Sequence, residues 1–137
     1  MAAIENDQIW LVEQFRYPVG RRFWELPQGA TRDRPELPLD QVAHIELAEE
    51  TGLRAASMER IGRLHSAYGF VTSAFEVFLA TELTRGAHSR EAEEQDMIAR
   101  PFPIDTVLSM VSDGTLMDAQ TVSALGLLLL EGKISQS

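Results

Sequence analysis

The chain has 137 residues, of which 45% are apolar and 24% are charged, as in one ordinary globular domain with its own core. It contains no cysteine, which excludes disulfides, thiolate zinc sites and cysteine nucleophiles, and no apolar run approaches the roughly 18 residues of a membrane span. The formal net charge of −9 disfavours binding to nucleic acid and to anionic membranes, so such a protein would handle phosphates through a bound cation. Because the first residues lack a basic segment followed by an apolar one, the cytoplasm is the expected location.

The first part of the chain predicts two strands, a loop and a helix. In order, we expect strands at 9–15 and 23–27 with a turn between them, a loop at 28–40 and a helix at 41–51. The strands are rich in β-branched and aromatic residues, whereas the loop is interrupted by one glycine and two prolines. Asp40 is placed to cap the helix, and Gly52 suits the left-handed residue just past its end.

The remainder predicts three more strands and two helices. We expect a strand that begins near 57 and ends in a turn around Gly69, strands at 74–83 and 96–103, a charged loop at 84–95, and helices at 104–114 and 118–133. Asp105 and Asp118 are predicted to cap the two helices. The order β-β-α-β-β-β-α-α predicts a single domain over 1–137 of the α/β (α+β) class, with a mixed sheet sandwiched between helices.

Three glutamates crowd one end of the first predicted helix. At about 100° per residue, Glu46, Glu49 and Glu50 fall on one face. One interpretation is a solvated acidic face, which many helices have. The other is a site for a hard divalent cation, because the carboxylates lie at the negative end of the helix dipole and no lysine or arginine lies one turn away. The residues alone leave both open.

The stretch from Gly29 to Leu53, GATRDRPELPLDQVAHIELAEETGL, resembles the Nudix box. Its second half, from Glu46 to Leu53, matches the family pattern without a gap, while Ile45 stands where the family has arginine. The flanking segments VEQFRYP, WELPQG and GTLMDAQTVSALGLL are similar to the ADP-ribose pyrophosphatase branch. The resemblance implies a Nudix fold.

The resemblance also implies a metal site and a catalytic base. Glu46 and Glu50 would bind Mg²⁺ or Mn²⁺ directly, Glu49 would be a ligand or a partner of metal-bound water, and the carbonyl of Gln28 would complete the coordination. The base would come from the loop REAEEQD, where the spacing to the C-terminal motif favours Glu93, followed by Glu94. Bound metal would offset the charge of a diphosphate and lower the pKa of a bound water.

Substrate contacts are expected on both sides of the box. Arg16 matches an arginine of the pyrophosphatase branch and offers a planar fork for phosphate. Gly29, at the start of the box, is expected beside the substrate. Residues Tyr68, Gly69 and Phe70 lie where that branch has a substrate loop. The resemblance further implies a small nucleoside diphosphate substrate and a homodimer.

Three hypotheses for function remain open at this point. The first is a metal-dependent hydrolase of ADP-ribose or a related nucleotide sugar, which yields a nucleoside monophosphate and a sugar phosphate. The second is a Nudix hydrolase for another nucleotide, such as a nucleoside triphosphate or a GDP-sugar. The third is a catalytically weak sensor of nucleotide sugars, which is suggested by Ile45 in the arginine position.

Overall fold

The structure is a computed structural model that describes residues 1–32, 34–90 and 92–137, and of Glu93 only the backbone. Its strands are β1 (Ala2–Glu5), β2 (Gln8–Arg16), β3 (Arg21–Glu25), β4 (Leu53–His65), β5 (Ala74–Arg85) and β6 (Ile98–Pro103). Its helices are α1 (Leu39–Thr51), α2 (Ile104–Ser112) and α3 (Ala119–Leu130), with single 3₁₀ turns at Tyr17–Val19 and Ala92–Glu94. Among the described residues, no helix is both long and apolar enough to cross a membrane.

The strands form one mixed sheet. Its order is β3-β2-β1-β5-β4, and β6 pairs with β2 along the part of β2 nearer its start. Among the strands of the described residues, only the pairing of β1 with β5 is parallel, and the other pairs are antiparallel. The predicted mixed sheet is therefore confirmed, but β1 was missed.

The core lies on both faces of this sheet. Residues alternate between faces along a strand, so Ala2 packs in the larger apolar cluster with α2 and α3, while Ala3 packs in a smaller cluster with Leu47 of α1. All three of these side chains are fully buried. The sheet therefore lies between α1 on one face and α2 and α3 on the other, as the sequence predicted.

Helix ends follow the local sequence only in part. Gly52 has φ 77° and ends α1, and Asp118 accepts a hydrogen bond from the Thr121 amide at the start of α3, as predicted. The predicted caps Asp40 and Asp105 are wrong, because each helix already begins directly after a proline. Pro38 and Pro103 themselves occupy the cap position, so each aspartate lies inside the first turn, where its negative charge is favoured by the helix dipole.

Candidate functional site

Helix α1 presents the three glutamates at its C-terminal end, next to the loop that precedes it. The Glu46 and Glu49 side chains are 12% and 25% exposed, while Glu50 is 2% exposed. Glu50 is buried and its two neighbours are only partly exposed, which argues against the simple interpretation of a solvated acidic face.

The acidic turn is neutralised by an arginine that the helix itself does not contain. Arg34 donates from Nη1 to Glu46 Oε1 at 2.7 Å and from Nη2 to Glu49 Oε1 at 2.8 Å. Arg90 donates from Nε to the Glu50 carbonyl at 3.0 Å, which places a positive charge at the helix C-terminus. The helix itself carries no lysine or arginine near this turn, as the sequence indicated, and the neutralising charges come from loops, which helical spacing does not reveal.

The segment before the helix fits closely against the glutamates. The Gln28 amide donates to Glu50 Oε2 at 3.2 Å. A Cβ at Gly29 would lie 2.8 Å from Glu46 Oε2 and closer still to its Cγ and Cδ. Glycine at this position thus lets the Glu46 side chain lie directly against the main chain.

Glu50 is a poorly solvated acid. Burial raises the pKa of its carboxyl well above the ordinary value, and the nearby carboxylates of Glu94 and Glu46 raise it further. The N-terminal ammonium of Met1 and, to a smaller extent, the Gln28 amide oppose this effect, because they stabilise the charged form. A positive ion beside Glu50 would favour its ionised state.

These side chains line a cleft of about 370 Å³ in which acids face arginines. The lining residues are Gln14, Arg16, Gln28, Gly29, Ala30, Arg32, Arg34, Glu46, Glu50 and Glu94. Arg16 is fixed at the rim by an ion pair with Glu25, which is 3% exposed. The cleft can hold a negatively charged group on its arginine side and a cation on its acidic side.

A second cavity of about 470 Å³ adjoins the cleft. The two share Gln28, Gly29, Ala30, Arg32 and Glu46, and the second extends between α1, β5 and α3 past apolar side chains such as Val42, Val77 and Ala124. This space is large enough for a nucleoside or sugar group.

The start of α3 anchors the segment that leads into the cleft. Thr121 Oγ1 accepts from the Leu26 amide at 3.0 Å and donates to Asp118 Oδ2 at 2.6 Å. Asp118 Oδ2 also accepts from the Gln28 side chain at 2.8 Å. Thr121 and Asp118, about 90 residues further along the chain, therefore hold Gln28 in position, and Gln28 in turn contacts Glu50.

Not every predicted residue reaches the cleft. Tyr68 and Phe70 are 84% and 86% exposed at the tip of the β4–β5 hairpin, and neither they nor Gly69 line either cavity. Glu49 lies beside the cleft, paired with Arg34, and is not part of its lining. The side chain of Glu93 lies outside the described residues.

The available ligands suit a hard divalent cation. Glu50 is buried, and among the described residues its carboxylate has a hydrogen bond from one neutral amide only, while two more carboxylates lie on the same turn. In the described ranges, no three acidic or histidine side chains are yet gathered closely enough to coordinate a metal. The donor chemistry therefore fits Mg²⁺ or Mn²⁺, and coordination requires the side chains to rearrange.

Several residues of this site were not found from the sequence. Arg34 and Glu25 carried no recognisable signal, and Asp118 was identified only as a helix cap. For Arg34, the sequence offered one indirect signal. Because α1 carries no lysine or arginine near its three glutamates, a neighbouring loop was a plausible source of the neutralising charge.

Comparison with known proteins agrees with this architecture. A family model described as NUDIX domain matches residues 1–115. The chain is 33% identical over 126 residues to the ADP-ribose pyrophosphatase of Mycobacterium tuberculosis (strain ATCC 25618 / H37Rv), and the match covers 91% of this chain and 60% of that protein. It is 31% identical over 132 residues to the ADP-ribose pyrophosphatase of Bacillus subtilis (strain 168), covering 96% of this chain and 70% of that protein.

A solved structure described as an ADP compounds hydrolase superposes with a TM-score of 0.84 at 21% identity, covering 96% of this chain and 71% of that one, which shows a shared fold. The chain spans less than two thirds of the length of the M. tuberculosis relative. From the family match over most of its length, the chain belongs to the Nudix hydrolase family.

Proposed function

We propose that this chain hydrolyses the diphosphate of ADP-ribose or a related ADP-linked sugar to AMP and a sugar phosphate, with Mg²⁺ or Mn²⁺ as cofactor. The observation that carries the proposal is the cleft in which Glu46, Glu50 and Glu94 face three arginines. Two relatives named ADP-ribose pyrophosphatase support the choice of substrate.

The metal would be held by the acidic turn. Glu46, Glu49 and Glu50 supply the carboxylates, and the Gln28 carbonyl is the proposed main-chain ligand. When bound, the ion would offset the negative charge of the diphosphate and lower the pKa of a coordinated water. Gly29 contributes by leaving room for Glu46 against the main chain.

The catalytic base would come from the loop before β6. Glu94 lines the cleft and interacts electrostatically with Glu50, which supports Glu94 as the group that takes the proton from the attacking water. The water oxygen then bonds to one phosphorus, the bridging P–O bond breaks, and the leaving phosphate keeps the electron pair. Glu93 remains the alternative that sequence spacing favours.

Substrate binding is assigned to the arginine side and the adjoining cavity. Arg16 is held by a buried carboxylate, so its guanidinium is oriented before substrate arrives, and it is proposed to bind the diphosphate. The 470 Å³ cavity would take the nucleoside or the sugar.

Other predictions of the resemblance remain proposals. A contact between substrate and the 68–70 tip would require the β4–β5 hairpin to move toward the cleft. A homodimer can be tested by sedimentation equilibrium, a cytoplasmic location by cell fractionation, and one catalytic domain over 1–137 by limited proteolysis.

The deciding experiment is incubation of the protein with ADP-ribose and Mg²⁺ or Mn²⁺, followed by chromatography of the products. We expect AMP and ribose 5-phosphate, and no product with Glu46→Gln. A panel with GDP-mannose and a nucleoside triphosphate tests the other nucleotides. Binding of ADP-ribose in a thermal-shift assay without any cleavage would reject the hydrolase and favour the sensor.

A further inference from the structure

Two of the proposed metal ligands already share one positive group. Arg34 reaches Glu46 with one terminal nitrogen and Glu49 with the other, at 2.7 and 2.8 Å. The two acids are three residues apart on α1, so the planar guanidinium bridges the space between their carboxylates. Arg34 therefore lies between two like charges that would otherwise repel each other.

The helix offers no substitute for this charge. Between Leu39 and Thr51 there is no lysine or arginine, and the residue next to Glu46 is Ile45. In the metal-free protein the loop must supply the neutralising charge, and Arg34 supplies it.

Arg34 is held mainly by the carboxylates themselves. Its backbone takes part in two turn hydrogen bonds, from its amide to Thr31 O at 3.0 Å and from the Leu37 amide to its carbonyl at 3.1 Å. In the part of the chain that the structure describes, its side-chain hydrogen bonds go only to Glu46 and Glu49. A cation that took these oxygens would leave the guanidinium without its partners.

We propose that Arg34 is an exchangeable counter-ion: it neutralises Glu46 and Glu49 in the metal-free protein, releases them to a divalent cation, and then turns toward the substrate diphosphate. Its place in the lining of the cleft, together with Arg16 and Arg32, puts the released guanidinium next to that substrate. The inference rests on the metal site of the proposed function.

The test is calorimetric titration of the nucleotide-free protein with Mn²⁺. Arg34→Ala should bind Mn²⁺ roughly 3- to 20-fold more tightly, because two partly exposed ion pairs no longer have to be broken. Arg34→Lys, which reaches one carboxylate at a time, should give an intermediate affinity. Arg21→Ala removes the same charge from a residue that stacks on Phe23 and lines neither cavity, and it should change affinity by less than about twofold.

The opposite result identifies a different role. If Arg34→Ala binds Mn²⁺ with unchanged or lower affinity, Arg34 is not a competitor and the inference is overturned. Thermal melting gives a second readout. Metal-free Arg34→Ala should have a lower melting temperature than wild type, and Mn²⁺ should raise its melting temperature by more than it raises that of wild type. An equal rise in melting temperature in both proteins would also contradict the proposed exchange.

The outcome for the metal site can be separated from the outcome for Arg34. If wild type binds Mn²⁺ and Glu46→Gln does not, the site stands, and the Arg34 variants then decide this inference alone. If wild type binds no Mn²⁺, the proposed function and the inference fail together. The release toward substrate is tested by KM for ADP-ribose, which should rise in Arg34→Ala while Mn²⁺ is saturating.

Discussion

Replacing Gly29 with alanine tests whether a single missing Cβ positions the Glu46 carboxylate. The added methyl would lie 2.8 Å from Glu46 Oε2, whereas ordinary contacts begin at 3.4 Å, so this oxygen must retreat by about 0.6 Å. The Cγ and Cδ atoms lie closer still and must move farther. The methyl would occupy the space beside the main chain that the Glu46 carboxylate uses, and so would restrict the positions from which this proposed ligand can approach a metal.

The expected loss is in activity more than in stability. Misplacement by about 1 Å of a group that orients the reaction lowers rate roughly 100-fold, so kcat/KM for ADP-ribose should fall by about that factor. Gly29 does not have a left-handed φ, and the obstructing atoms belong to a flexible side chain. The free energy of unfolding should therefore change by less than about 1 kcal/mol.

The assay is steady-state kinetics with Mg²⁺, combined with urea unfolding of the same preparations. Gly126→Ala is the matched control, because a Cβ there meets nothing within 4 Å and the position lies in α3. It should keep full activity and gain about 0.5–1 kcal/mol of stability from better helix propensity. If Gly29→Ala retains the wild-type kcat/KM, the close fit of Glu46 is not needed for function and the reasoning fails.

Three further predictions follow from buried or cleft-lining groups. The raised folded pKa of Glu50 means that its own contribution to metal-free stability is most favourable below the ordinary value of 4.5 and falls as pH rises from there through the folded pKa. With EDTA present, the free energy of unfolding from urea titration should be about 1–3 kcal/mol higher for Glu50→Gln than for wild type at pH 8, with a smaller difference at pH 5, while turnover is abolished. Because the pKa of the N-terminal ammonium is lowered to about 6, its contribution to stability rises with pH over the same range. The comparison is therefore the difference between the two proteins, and a difference that does not grow between pH 5 and pH 8 would contradict this prediction. Thr121→Val leaves the Leu26 amide without its acceptor and should cost about 1–3 kcal/mol in urea unfolding, whereas Ser123→Ala on the exposed side of α3 should cost less than about 0.5 kcal/mol. Glu94→Gln should lower kcat by roughly 10²- to 10⁴-fold with Mn²⁺ affinity little changed, and an unchanged kcat would assign the base to another residue.

Local sequence explains much of the fold, as α1 illustrates. Its apolar and acidic pattern predicted the helix, Gly52 predicted the end that is observed at φ 77°, and the order of elements predicted a sheet between helices. Strand β1 was missed because four residues, two of them alanine, carry little β propensity, and the strand exists through its pairing with β2 and β5. The caps at Asp40 and Asp105 failed because a neighbouring proline set each helix start.

The chain's own sequence determined that three acids lie on one helical turn, since spacing alone fixes which side chains share a face. Only the tertiary structure decided that Glu50 is buried, that Arg34 bridges Glu46 and Glu49, and that the start of α3 holds Gln28 in place. The physical reason is range: propensities and periodicity act within a few residues, whereas desolvation and ion pairing depend on groups that only the folded sheet and loops bring together.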